Sequence, residues 1–107
     1  MSADRGDLVW INLNPQAGHE QAGRRPAVVL SPKAFNETTG FITVCPITHT
    51  ARGWGFEVPL PEGLVINGVI LTDQIKNLDW RARRIDVVGK VPNEVINMCL
   101  DKIHTFL

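Results

Sequence analysis

Residues 18 to 32, GHEQAGRRPAVVLSP, set His19, Glu20, Gln21, Arg24 and Arg25 in a glycine-bounded polar stretch directly ahead of an apolar run. Several hydrogen-bond donors, fixed positive charge and one imidazole suit a phosphodiester whose cleavage builds negative charge on phosphate oxygens. Guanidinium matches phosphate geometry by bidentate bonding, and such charge is best met by donors already in place. Other chemistries find less support. Hydroxyls stand at Ser31, Thr48 and Thr50, but there is no G-x-S-x-G elbow and no P-loop, and the first loop offers no pair of carboxylates. A second basic focus lies in KNLDWRARR, with Lys76, Arg81, Arg83 and Arg84. Together with Arg24 and Arg25 it holds six of the eleven Lys and Arg residues. The formal net charge is zero, which argues against coating nucleic acid by bulk electrostatics and leaves a local basic site. On composition alone these arginines read as solvated residues of strand faces.

The elements that must hold these groups are mostly strands. DLVWINL alternates Val9, Ile11 and Leu13 against Leu8, Trp10 and Asn12, while AVVLS, FITVC, FEVPL and GVILT are short, β-branched and bounded by Gly or Pro. RRIDVVGKV offers another strand, and the spacing is that of a small barrel. A helix closes the chain: Pro92 suits its first position, Glu94 its positive end, and Lys102 and His104 its negative end. Val95, Met98, Cys99, Ile103 and Phe106 recur at helical spacing and predict a core-facing stripe. Pro26 is expected to open AVVL, Pro32 to close it, and Pro46 to divide FITVC from the polar ITHTARG, so that strand ends coincide with polar motifs. Trp10 and Trp80 read as core. Trp54, between two glycines in RGWGF, reads as an exposed stacking platform for a base.

Length and composition frame these expectations. The 107 residues predict one domain, 1–107, that buries roughly two-thirds of its unfolded surface. A 44% hydrophobic and 21% charged composition is that of a globular protein. Cys45 and Cys99 belong to no metal-ligand spacing and read as reduced packing residues, so no metal is expected. MSADRGD has neither the basic nor the apolar region of a signal peptide, and no membrane span is visible, which predicts a cytoplasmic protein.

GDLVWINLNPQAGHEQAGRRPAVVLSP, then ITHTARGWGFEVPL, GVILTDQIKNLDWRAR and a C-terminal helix, in that order, resemble the MazF/PemK/Kid family of toxin endoribonucleases over nearly the whole chain. The resemblance implies a small SH3-like β-barrel of about five to seven strands with a C-terminal α-helix. It implies a homodimer that cleaves single-stranded RNA at short sequences with neither metal nor cofactor. It also implies a MazE-like antitoxin whose acidic, flexible tail lies across the RNA groove. Arg25 matches the family's arginine in the RP dipeptide, and Thr48 the threonine two residues after the proline of the third-strand motif. His19 fits the GHEQ form of the PemK/Kid branch and Asp73 its aspartate, but Leu71 stands where that branch carries a catalytic arginine. With WRAR and RPAVVLSP present, the chain resembles the MazF branch more closely, and the arginine's work is assigned to Arg25, with Glu20 in support.

The implied reaction is attack of the RNA 2'-oxygen on the adjacent phosphorus, which leaves a 2',3'-cyclic phosphate and a 5'-hydroxyl. Arg25 suits charge stabilisation, whereas neither a guanidinium nor a threonine hydroxyl is a good base. His19 is the nearby group whose ordinary pKa, about 6.5, lies in the right range. By residue type, Gln21, Trp54, Asp73, Gln74 and Asn77 suit contacts to splayed bases, and Arg24, Arg52 and Lys76 contacts to phosphates. Blander readings stand beside these: an Arg25–Glu20 ion pair that ties down the loop, an ordinary strand threonine at 48, a solvated His19. Rival functions are a gyrase-poisoning toxin of the same fold that cuts nothing, and a non-catalytic RNA-binding module.

Overall fold

The computed structural model describes residues 3–14 and 21–107. The chain runs β1 (Asp7–Asn12), β2 (Arg24–Val29), α1 (Lys33–Thr39), β3 (Phe41–Thr48), β4 (Glu57–Pro59), β5 (Val69–Leu71), β6 (Lys76–Asp79), β7 (Ile85–Lys90) and α2 (Asn93–Ile103), with a 3-10 turn at Thr72–Gln74. All strand pairs are antiparallel, in the order β4-β5-β3-β2-β1-β7, with β6 also on β3.

Both faces of this sheet are apolar because each strand's alternation feeds a core on either side. Val9, Ile11 and Leu13 meet Ala27, Val29, Ile42 and Val44 on one face. Leu8, Val28, Cys45, Ile47, Val58 and Ile70 meet Val95, Ile96, Cys99 and Ile103 of α2 on the other. The fold is thus the mainly β one expected, with seven strands and a C-terminal helix, but the sheet does not close: β4 and β7 end the path. α2 covers the face that a closed barrel would shield with further strand pairing.

β3 is the spine. Phe41–Val44 pair with β6 and Ile47–Thr48 with β5 on the same edge, while the other edge serves β2. Pro46 lies inside this strand rather than dividing it. It falls where the edge changes partner, so its missing N–H costs no ladder bond there. Pro26 is likewise inside β2, which begins at Arg24, and Pro32 is the N-cap of α1.

Other expectations change in detail. Met98 and Phe106 are 44% and 45% exposed. The buried arc of α2 is Val95, Ile96, Cys99 and Ile103, so its centre is rotated away from Met98. Trp10 is 37% exposed rather than core, because α2 shields Leu8 on the same strand face but not Trp10. Trp80 is half-buried, its indole donating to the Asn36 carbonyl at 2.7 Å. Asn36 is itself buried: its Nδ2 donates to the carbonyls of Ala3 at 2.8 Å and Ser31 at 3.1 Å, and its Oδ1 accepts from Ser31 Oγ at 2.5 Å.

The β1–β2 hairpin has a closed base. Leu13 N donates to Gly23 O and Gly23 N to Asn14 Oδ1, at 2.8 and 3.0 Å. Arg83 adds a clamp from the β6–β7 turn, donating to the carbonyls of Asn12, Asn14 and Asp79 at 3.0, 2.9 and 2.9 Å.

Candidate active site

β2 carries its paired arginines to opposite faces, as the two-residue period of a strand requires. Arg25 shares the face of Ala27 and Val29, and Arg24 that of Pro26 and Val28. Arg25 enters an open cleft of about 500 Å³ lined by Gln21, Thr48, Thr50, Arg52, Trp54 and Glu57, with Leu71, Asp73 and Gln74 across from them. Arg25 Nε donates to Ala22 O at 3.2 Å, which orients the guanidinium while its two terminal nitrogens can still grip an anion. Arg24 instead forms an ion pair with Asp86 of β7 and donates to Arg84 O at 3.2 Å.

Thr48 ends β3, and its Oγ1 accepts from Thr50 N at 3.3 Å. The backbone here is tightly backed: a Cβ on Gly68 would lie 2.2 Å from the Thr48 carbonyl oxygen, so only glycine fits. The next segment forms one wall. Glu57 accepts from Arg52 N at 2.9 Å and Gly53 N at 3.1 Å, one bond to each carboxylate oxygen. Gly53 supplies the positive φ of 77° that the turn needs. From the far side Lys102 Nζ of α2 donates to Gly55 O at 2.5 Å, and Phe106 packs edge-on against Phe56 with centroids 5.6 Å apart. This bracing presents Trp54, 56% exposed, beside Arg52.

The opposite wall is the 3-10 turn after β5. Gln74 Oε1 accepts from Gln21 N at 2.9 Å, joining this wall to the polar stretch before β2. Asp73 is exposed and makes no ion pair or hydrogen bond with the described residues, so its carboxylate faces the cleft without a fixed donor. Among the described residues the cleft therefore holds two guanidinium groups against two carboxylates, of which Glu57 is occupied by backbone N–H groups.

Seven of the expected site residues, Gln21, Arg25, Thr48, Arg52, Trp54, Asp73 and Gln74, thus line one cleft. Lys76 and Asn77 lie on β6, and Asn77 Oδ1 accepts from Thr43 Oγ1 at 3.0 Å. They stand outside the lining, as does Arg24. His19 and Glu20 lie outside the described residues. Thr50 and Glu57 line the cleft unforeseen. The trace of Glu57 in the sequence is its position as the lone acid in the apolar FEVPL, at a strand start where a carboxylate can catch the preceding turn.

The cysteines take no part. Burial pushes the Cys45 thiol far above its ordinary value, with Cys99 and Asp73 adding to the shift, and burial raises Cys99 to about 12, so neither forms a thiolate near neutral pH. Among the described residues no group of three or more His, Cys, Asp and Glu could hold a metal ion, and no helix is long and apolar enough to cross a membrane.

This sheet, helix and cleft match a known architecture. The profile of the PemK-like, MazF-like toxins of type II toxin-antitoxin systems matches residues 4–107. The endoribonuclease toxin MazF of Escherichia coli K12 is 43% identical over 104 residues, covering 97% of this chain and 93% of its own. The crystal structure of MazF from Deinococcus radiodurans superposes with a TM-score of 0.94 at 48% identity, covering 98% of this chain and 96% of that one. A MazE-MazF structure from the same organism gives 0.87 at 48% identity, covering 98% and 95%. The chain belongs to the PemK-like, MazF-like family of type II toxins.

Proposed function

We propose that this protein is a toxin endoribonuclease of that family, with residues 1–107 as its one toxin domain, and that it cuts single-stranded RNA in the cleft between Arg25 and Asp73. The observation that carries the reading is the meeting of Arg25 from β2, Thr48 from β3 and Asp73 from the 3-10 turn in one open cleft beside an exposed tryptophan. In the proposed reaction the 2'-oxygen forms a bond to the adjacent phosphorus while the bond from phosphorus to the 5'-oxygen breaks. Asp73 takes the 2'-hydroxyl proton, since it is the cleft carboxylate that no described N–H group occupies. The leaving 5'-oxygen takes its proton from water in the open cleft. Arg25 bonds the non-bridging oxygens as charge builds on them, and the Thr48 hydroxyl donates to the same phosphate. Trp54 offers a face for a splayed base, Gln21 and Gln74 offer edges, and Arg52 holds a neighbouring phosphate.

The relatives include a MazE-MazF structure. By analogy, this chain would form a homodimer silenced by an antitoxin, with an acidic tail competing with RNA for Arg25 and Arg52. The test is incubation of the pure protein with a long single-stranded RNA in EDTA, which addresses the metal-independent course that the resemblance implies. Discrete fragments with 5'-hydroxyl and 2',3'-cyclic phosphate ends support the reading. Intact RNA beside inhibited gyrase supercoiling would replace it with the gyrase-poisoning one, and RNA retained but uncut would leave only a binding module. Deoxyribose at the nucleotide 5' to the scissile phosphate should abolish cutting and spare binding.

A further inference from the structure

We propose that the hollow under Trp10 is a second base-binding subsite, which takes one unpaired nucleobase of the RNA flanking the scissile phosphodiester; the inference rests on the endoribonuclease reading. The hollow, of about 140 Å³, is lined by Trp10, Arg24, Pro26, Ile47, His49 and Asn67, and it shares Arg25 and Thr48 with the main cleft. It lies on the other face of the sheet, where Arg24 and Pro26 alternate with Arg25, so the two recesses meet around the ends of β2 and β3. A chain whose phosphate sits at Arg25 and Thr48 can pass round those ends and reach Trp10.

Three observations say which part of a nucleotide the hollow suits. Trp10 lies between Pro26 and Asp86 in the strand ladder and is 37% exposed, so an aromatic surface is offered on a sheet face that no helix among the described residues covers. The cation at its rim, Arg24, is already paired with Asp86, which Arg84 also approaches at 3.6 Å, so Arg24 is less free than Arg25 to draw a phosphate. Asn67 and His49, both exposed, supply donors and acceptors at the margin that match the edge of a base. The volume is on the scale of one ring system. Base–aromatic stacking tolerates any base, so this subsite adds affinity and selects for an unpaired flank rather than for a letter.

The experiment uses RNA oligomers built around a cut bond first mapped in a long transcript, with deoxyribose at the scissile nucleotide so that binding is read without cleavage. Each flanking position is replaced in turn by an abasic residue. Trp10→Ala should weaken binding of the intact oligomer roughly 10- to 100-fold, and Trp10→Phe should recover most of that loss. At one flanking position the abasic substitution should cost the wild-type protein a similar factor and cost Trp10→Ala nothing more. Circular dichroism and the cleavage of a minimal RNA lacking that nucleotide should be unchanged in both variants. The proposal is overturned if Trp10→Ala binds like wild type, or if its loss adds to the abasic loss at every position. It is equally overturned if the variant changes only oligomeric state or antitoxin affinity, which would assign the hollow to a second copy or to a protein side chain. Failure of the wild-type protein to cut the long transcript at all would instead bring down the endoribonuclease reading, and the subsite with it.

Discussion

Arg24 and Arg25 are neighbours in sequence, yet their removal should have unlike effects. Arg25 faces the cleft with Nε held by Ala22 O at 3.2 Å, and in the proposed reaction it is a single preorganised charge donor to the phosphorane. Losing one such donor lowers turnover by about 100- to 1,000-fold. Arg25 is exposed, so Arg25→Ala should fall at the lower end: about 100-fold in kcat, or about 2.7 kcal/mol of transition-state stabilisation. Arg25→Lys keeps the charge and loses the fork, and should cost about tenfold. Arg24→Ala removes an ion pair whose members are 39% and 41% exposed, so stability should fall by less than about 1 kcal/mol and kcat should change little. The two also differ in salt dependence. Arg25→Ala should lower the slope of log affinity against log salt by about 0.7, the single-strand value for one phosphate contact, while Arg24 already has Asp86 as its counterion and should leave the slope unchanged. Single-turnover cleavage at saturating RNA gives the rates, fluorescence titration across salt gives the slopes, and circular dichroism confirms both folds. Equal rate losses, or a slope that flattens for Arg24→Ala alone, would refute the division of labour.

Asp73→Asn should lower kcat by about 100- to 1,000-fold, and the residual rate should climb with pH as hydroxide replaces the lost acceptor; a wild-type rate would move the base elsewhere. Asn36→Ala should strand the buried carbonyls of Ala3 and Ser31 and cost about 2–3 kcal/mol, lowering Tm by about 10 °C or more in calorimetry; a shift near zero would contradict the network's role. Cys45 and Cys99 should resist iodoacetamide until the protein unfolds. Because burial raises both thiols, the unfolded chain sheds their protons first as pH rises past about 8.5, so urea stability should fall there, and Cys99→Ala should soften that fall once compared at neutral pH.

Strands with a strong two-residue alternation were readable from sequence. In β1, Val9, Ile11 and Leu13 reach one core and Leu8 the other, because burial follows from the period alone. β6 was not, since Lys76–Asp79 carries little apolar pattern and forms by completing the free edge of β3. α1 was hidden by its seven residues, although Pro32 as N-cap and Gly40 at φ 76° were its local marks. In the cleft, Arg25, Thr48, Arg52 and Trp54 were legible from residue type and motif. The pairing of Arg24 with Asp86 and of Glu57 with Arg52 and Gly53 N–H was not, since the first joins groups 62 residues apart and the second depends on a turn's backbone. Trp10 misled because a tryptophan in an alternating strand reads as core whether or not a helix arrives to cover it.

The closed base of the β1–β2 hairpin ties the aim of Arg25 to strand pairing. Leu13, Asn14 and Gly23 seal the strands to each other, and Arg83 holds the first strand's end to the body of the protein. The side of the sheet on which Arg25 stands is set by the pairing of Ile11 with Arg25 and of Asn12 with Arg24. A single-residue insertion or deletion between Arg25 and Val29 would set Arg25 on the opposite side of the sheet from the one it shares with Ala27 and Val29, and so take its guanidinium out of the cleft.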